Sequence, residues 1–247
     1  MAAVNERESI LVIGASGRTG TLVLRYLCAA AVPVIACVRR VDRVPAELQA
    51  AAVDVATADL EQPGTIAPLL ERAAHVIWLG GSARRTLSPG AWQVEVESLR
   101  TCLELTRRSG FDGRFIYVGY SGSESRDGTT WAESRWRELK VEAEQVITAS
   151  NVNYFVLRTG HITDSVAREP NVSVTQHGGV APDAQLPSNV LAFLLTGAAL
   201  AGAAYRSKVT VRLHSGGAKL QDAVQAFSRL RSEDTATAGA HGLFGGA

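Results

Sequence analysis

The stretch from Ile10 to Gly20, ILVIGASGRTG, limits the choice of fold more than any other part of the chain. Ile10, Leu11, Val12 and Ile13 read as a strand buried on both faces. Gly14, Gly17 and Gly20 follow at a spacing of three, and TLVLRYL opens a helix directly after them. A strand, a glycine turn and a helix N-terminus together build an anion site. The first glycine turns the chain, the second admits a pyrophosphate to the backbone, and the third lets helix pack on strand. The first-turn N–H groups have no intrahelical partner, so they face the phosphates along with the positive end of the helix dipole. With these flanks the pattern predicts dinucleotide binding, with Gly14, Ser16, Gly17, Arg18, Thr19 and Gly20 in the phosphate loop. An ordinary strand–helix turn is the bland alternative.

The chain has 247 residues, enough for one α/β domain with a modest elaboration. A formal net charge of +1 gives no electrostatic reason to expect nucleic acid as a partner. The start, MAAVNERES, carries charge where a secretory signal has an apolar segment, so the protein is expected to be cytoplasmic. The run NVLAFLLTGAALAGAAY is Ala- and Gly-rich and short for a bilayer span; it reads as a buried helix, with no membrane as partner. Cys28, Cys37 and Cys102 are scattered and odd in number, which favours reduced, buried thiols. The five histidines show no ligand spacing, so no metal is expected.

In chain order, VPVIACVRR gives a second buried strand that ends in two arginines. The residue at this strand end meets the adenosine ribose in such folds: an acid accepts from the 2′-hydroxyl, an arginine pairs with a 2′-phosphate. Arg39 and Arg40 therefore point to NADP(H), and Arg18 is placed to reach the same phosphate; Asp42 competes but comes late. VDVATADL is a weaker strand whose end sets Asp59 and Leu60 beside the adenine, Asp59 doubling as a cap for a helix near Pro63. HVIWLGG supplies a fourth strand, with Leu79, Gly80 and Gly81 at the approach of the cofactor ribose. An amphipathic helix from Val94 to a C-capping Gly110, a strand Phe115–Val118, a helix over about residues 130–150 and a strand Tyr154–Leu157 follow. Six alternations predict a Rossmann-type, doubly wound parallel sheet with ligand outside the carboxyl ends of the strands. Residues 1–230 are read as one domain, about 165–230 forming a small substrate-side lobe, and 231–247 as a flexible tail.

These segments together resemble the short-chain dehydrogenase/reductase superfamily, and within it the atypical, NmrA-like branch. VIGASGRTG, CVRR, ADL, VIWLGG, RFIYVGYSGS, WRELKVEAE and VLRTG stand in that family's order over about residues 8–165. The resemblance implies NADP(H), reduction of a carbonyl or imine in many members, and cofactor sensing alone in others. In catalytic members a tyrosine donates a proton, a lysine four residues later tunes it and holds the nicotinamide ribose, and a Ser or Thr after the fifth strand binds the carbonyl oxygen. Here Lys140 matches the lysine, while Trp136 stands at the tyrosine and offers a hydrogen-bond donor but no usable acid. The Ser/Thr position falls on Tyr120, with Ser121 beside it. Thr159, Gly160 and His161 follow the sixth strand, where the family contacts the nicotinamide carboxamide.

Tyr120, Ser121 and Lys140 are thus the expected catalytic residues of an NADPH-dependent ketoreductase. Its substrate is read as a small aromatic or quinone-like carbonyl compound, and secondary metabolism would suit it. Three accounts stay open. Tyr120 or Ser121 orients the carbonyl while water or a substrate hydroxyl gives the proton; Tyr120 is itself the acid, tuned by Lys140; or the chain only senses NADP(H). A nicotinamide-dependent isomerase or epimerase is a weaker reading. Oligomeric state is not legible.

Overall fold

The computed structural model describes residues 9–50, 53–81, 90–121, 131–167, 170–176, 184–201 and 208–230. The expected tail 231–247 and the charged start lie outside them. Six segments form parallel strands: β1 Ser9–Ile13, β2 Val34–Val38, β3 Val53–Thr57, β4 Ala73–Trp78, β5 Phe115–Tyr120 and β6 Tyr154–Thr159. Their order across the sheet is β3-β2-β1-β4-β5-β6. The direction of winding therefore reverses between β1 and β4, which opens a crevice at their carboxyl ends. Register sets Ile13 level with Cys37 on one side and Trp78 on the other, so three strands end together beneath the glycine turn.

Alternation splits the core between the two faces of the sheet. Ile10 and Val12 join one apolar cluster with helix α1 Arg18–Ala29 and the later helix α6 Ser188–Leu200. Leu11 and Ile13 join the other, beneath α4 Ser98–Arg108 and α5 Trp131–Thr148. The two shorter helices, α2 Ala46–Ala50 and α3 Ala67–Leu70, fill the crossovers on either side of β3. The Ala-rich run read as a buried helix is α6, with Val190, Leu191, Leu194, Leu195 and Ala198 all buried. No helix among the described residues is long and apolar enough to cross a membrane.

Three differences from the sequence reading matter for the site. Strands β5 and β6 run on to Tyr120 and Thr159, which are register partners at the edge of the crevice. The amphipathic helix expected from Val94 instead begins with a π-helical turn, Gln93–Glu97, before α4. One extra residue in that turn shifts the helix phase and buries Glu95 with Val96. Residues 165–230, read as a small lobe, largely extend the sheet. Strand β10 Val209–Ser215 adds parallel to β6, β8 Asn171–Thr175 antiparallel to β10, and β11 Ala218–Lys219 antiparallel to β8. Val209, Val211 and Leu213 are buried on one face, and the free edge of β6 gives them a partner. Strands β7 His161–Thr163 and β9 Gln185–Pro187 pair separately, and α7 Leu220–Ala226 packs against β8 and α6.

At the amino end of β4, away from the crevice, His75 Nδ1 accepts the Arg114 backbone N–H at 3.0 Å. Burial, together with the Arg114 charge, holds the imidazole pKa below its ordinary 6.5. The buried Arg114 guanidinium donates to the Ala198 carbonyl near the end of α6 and lies 5.7 Å from the Phe155 ring. As pH falls through 6.5 the unfolded chain takes up a proton that the folded chain refuses until lower pH. The contribution is therefore full above that value and lost below it. Melting temperature measured from about pH 7.5 to about pH 5 is expected to fall, and His75→Gln to flatten the slope. Identical slopes in the two proteins would contradict this role.

Candidate functional site

The glycine loop is built by close backbone approach. Gly14 has φ +80°, and a Cβ there would stand 2.5 Å from the Leu79 carbonyl oxygen. A Cβ on Gly20 would strike the Gly14 carbonyl. Gly17 is the N-cap of α1, with no side chain capping the first turn and no acid within it. The N–H groups of that turn are therefore left for a ligand, and such a helix N-terminus suits a phosphate.

A cavity of about 610 Å³ runs from this loop over the ends of β2 and β3. Gly14, Ser16, Gly17, Arg39, Arg40, Asp59, Leu60, Leu79, Gly80 and Gly81 line it, as the sequence had placed them. Arg40 is bound by Asp42 through Nε at 3.1 Å and a terminal nitrogen at 2.6 Å. Their hydrogen bonds and opposite charges raise the Arg40 pKa and lower that of Asp42. Arg43, missed in the sequence, also lines the cavity. It sits on a 3₁₀ turn, Val41–Arg43, which bends the chain back over the strand end. Asp59 Oδ1 accepts the Glu61 N–H at 3.1 Å, whereas the turn at Pro63 is capped by Gln62, so the expected helix-capping role is not taken. Cys37 lines the cavity too, its thiol pushed up to about 12 by burial, as is that of Cys102; both are inert at neutral pH.

A second cavity, of about 340 Å³, shares Gly14, Gly17, Leu79, Gly80 and Gly81 with the first. It continues across the loop to the ends of β5 and β6, where Tyr120, Lys140, Thr159 and Gly160 line it with Thr19 and Gly20. Gly160 is required because a Cβ would overlap the Ala184 carbonyl. Three expectations are corrected here. Arg18 lines this cavity and pairs with Asp164, and it does not line the first cavity with Arg39 and Arg40. Ser121 is buried outside the cavity wall, since β5 continues one turn of the pleat further than expected. His161 is exposed, and its neighbour Ile162 lines the wall instead; the His161 ring stands 6.1 Å from that of Tyr120.

Lys140 is not free to tune Tyr120. Its Nζ binds Glu95 Oε2 at 3.0 Å and lies 5.5 Å from the Tyr117 ring and 5.9 Å from that of Trp136. The Glu95 side chain is 2% exposed and that of Lys140 15%. Breaking a buried ion pair by removing one partner costs about 3–5 kcal/mol, so these charges hold each other in place. The π turn presents Glu95 inward and is itself anchored. Ser98 Oγ donates to the Gln93 carbonyl at 2.6 Å, and Trp92 Nε1 donates to Glu142 of α5 at 3.0 Å. Glu95 and Tyr117 both line the cavity, and neither was singled out in the sequence. Glu95 stands at i, i+4 and i+7 with Leu99 and Cys102, a carboxylate on the apolar face of a helix, and that spacing was the available signal. Tyr117 gave none, being one apolar residue in a strand of them.

Trp136 takes the bland role the sequence offered it and also helps shape the site. Its ring meets Tyr120 edge-on, with centroids 4.6 Å apart and planes at 68°. Val118, Ile162 and Leu191 complete an apolar side. The cavity thus runs from the glycine loop to an apolar wall at Tyr120, with an ammonium and two phenols lining it.

Gly14→Ala is expected to cost about 1–3 kcal/mol, since the new Cβ meets backbone at a positive φ. It should also weaken dinucleotide binding by at least about tenfold. Thermal melts and nicotinamide fluorescence titration check this, and wild-type values in both would refute the close-approach argument.

No curated protein matches the chain in sequence. Among solved structures, the fold is similar to that of the oxidoreductase ylbE from Lactococcus lactis, with a TM-score of 0.73, 16% identity, and coverage of 90% of this chain and 97% of that one. A short-chain dehydrogenase/reductase from Veillonella parvula in complex with NADP gives 0.69, 15% identity, and 86% and 96% coverage. ChuY, an anaerobillin reductase from Escherichia coli O157:H7, gives 0.66, 21% identity, and 85% and 98% coverage. A family model for NAD(P)H-binding proteins matches residues 14–199, the span that holds the glycine loop, both cavities and Lys140. The chain belongs to that NAD(P)H-binding family.

Proposed function

We propose that the protein is an NADPH-dependent reductase of a small, planar, aromatic or quinone-like carbonyl compound. The observation that carries this reading is the second cavity, where a fixed ammonium and two tyrosines share an apolar pocket with the phosphate loop. When bound, the reduced nicotinamide supplies the hydride. Val118, Ile162, Leu191 and the Tyr120–Trp136 pair favour a flat ring on the open side. Lys140, held by Glu95, directs its remaining N–H groups into the cavity, toward hydroxyl or carbonyl oxygens. Tyr120 is placed to orient the carbonyl oxygen. Ser121 drops out of that role because it does not reach the cavity.

NADPH is preferred over NADH on charge. Arg39, Arg40 and Arg43 line the adenosine-end cavity against two acids, Asp59 and Glu61, while Asp42 beside it is committed to Arg40. Arg39 and Arg43 hold no carboxylate among the described residues and suit a 2′-phosphate. The reductase and the NADP complex with a similar fold are in keeping with this reading. A protein that only senses NADP(H) is the rival from another class.

Incubation with NADPH and a panel of aromatic aldehydes, aromatic ketones and quinones, followed at the nicotinamide absorbance, is expected to show oxidation with at least one of them. NADPH binding without turnover on any of them would favour the sensor. The double variant Arg39→Ala/Arg43→Ala should lower the NADPH-to-NADH affinity ratio by about tenfold or more, one or two charge-assisted hydrogen bonds being lost. Arg40→Ala should change it less. An unchanged ratio in the double variant would overturn the assignment.

A further inference from the structure

We propose that Tyr117, on strand β5, is the acid of this site, taking the role that Trp136 cannot fill on helix α5, with Lys140 and Glu95 as its positioning residues. The inference rests on the reductase reading above. Four observations carry it. Tyr117 lines the same cavity as Tyr120, Lys140 and Glu95. The Lys140 ammonium is 5.5 Å from the Tyr117 ring and pinned there by Glu95, so the tyrosine–lysine couple is rebuilt across two elements rather than along one helix. The Tyr117 hydroxyl is buried and completes no hydrogen bond of ordinary geometry among the described residues, although Lys140 is near enough to act on it. An orphaned buried hydroxyl in a cavity wall is a donor waiting for an acceptor. Tyr120, by contrast, is packed on Trp136 and His161, and the ring contacts of Lys140 go to Tyr117 and Trp136.

The charges around the phenol also bear on its protonation state. Burial raises the Tyr117 pKa, while the Lys140 ammonium lowers it and Glu95 and Glu144 oppose that pull. The net shift is upward, so the phenol stays protonated throughout the neutral range. A protonated phenol is a standing donor, and an alcohol is a much weaker acid than a phenol, so transfer to a nascent alkoxide runs downhill. In the reductive step the carbonyl carbon accepts the hydride of NADPH and the carbon–oxygen π pair moves onto oxygen. That oxygen takes the Tyr117 proton, leaving NADP⁺ and a phenolate beside the Lys140 ammonium, which solvent then reprotonates. One carbonyl, one NADPH and one proton give one alcohol and one NADP⁺.

The test uses the full chain with NADPH and two probes, 4-nitrobenzaldehyde and 9,10-phenanthrenequinone. Tyr117→Phe keeps the ring and removes a hydroxyl that completes no hydrogen bond, so it should melt like the wild type. With the aldehyde its kcat is expected to fall by at least about 100-fold, while NADPH affinity from fluorescence titration stays within about twofold. Tyr120→Phe should mainly raise KM, by less than about tenfold. Glu95→Gln is expected to make kcat fall as pH rises above neutrality. Lys140, buried and left facing Tyr117 and Trp136, then loses the Glu95 carboxylate, one of the two groups that favour its charge. A Tyr117→Phe protein with near wild-type kcat overturns the proposal. If the wild type binds NADPH and reduces neither probe, the reductase reading has failed first, and the couple is judged by NMR of ¹³Cζ-tyrosine. Lys140→Met raising the Tyr117 titration midpoint by about a unit or more supports the couple, and an unmoved midpoint overturns it.

Discussion

The site depends on two backbones coming closer than any side chain allows. Gly14 turns the chain at the end of β1 with its Cα against the Leu79 carbonyl, and Gly20 lets α1 lie against that turn. Because β1 and β4 are neighbours at the point where the sheet reverses its winding, this contact also fixes where the crevice opens. Both cavities share the residues of this junction, so phosphate recognition and the chemistry beyond it hang on the same few atoms. The strand ends that meet there, Ile10–Ile13, Val34–Val38 and Val76–Trp78, are buried.

The second cavity is organised by a second constraint, a carboxylate and an ammonium taken out of water together. Neither Glu95 nor Lys140 is tolerable alone at that depth. Paired at 3.0 Å they fix the relative position of the π turn and α5, and with them the wall formed by Tyr117, Tyr120 and Trp136. The rest of α5 is held by a similar device, with Arg158 Nε donating to Glu144 at 2.7 Å behind Gly119. Electrostatics of this kind set geometry more than net stability.

Much of the fold was legible because its signals are local and redundant. Ile10–Ile13, Val34–Val38 and Phe115–Val118 are apolar runs bounded by turn residues, and a glycine spacing of three beside a helix has few meanings. The Arg39 and Arg40 positions followed from strand order alone. Pairing was not legible. Whether Arg40 faces a phosphate or Asp42, and whether Lys140 serves Tyr120 or Glu95, depends on crossovers that place distant segments side by side. The π turn left no mark in the sequence, because its extra residue changes the phase of a helix whose apolar pattern tolerates either phase. Residues 165–230 looked like a small substrate-side lobe because the pairing of β10 with β6, which joins them to the sheet, is not written in the local sequence. Arg43 was passed over since turns are expected to carry charge, and only the bend of Val41–Arg43 brings it to the cavity.

The account as a whole is tested most directly by a crystal structure with NADP bound. The expected result puts the 2′-phosphate between Arg39 and Arg43, the pyrophosphate on the first turn of α1, and the nicotinamide ring in the cavity bounded by Tyr117, Tyr120 and Lys140. A dinucleotide whose 2′-phosphate turns to solvent, or whose nicotinamide lies outside that cavity, would contradict it.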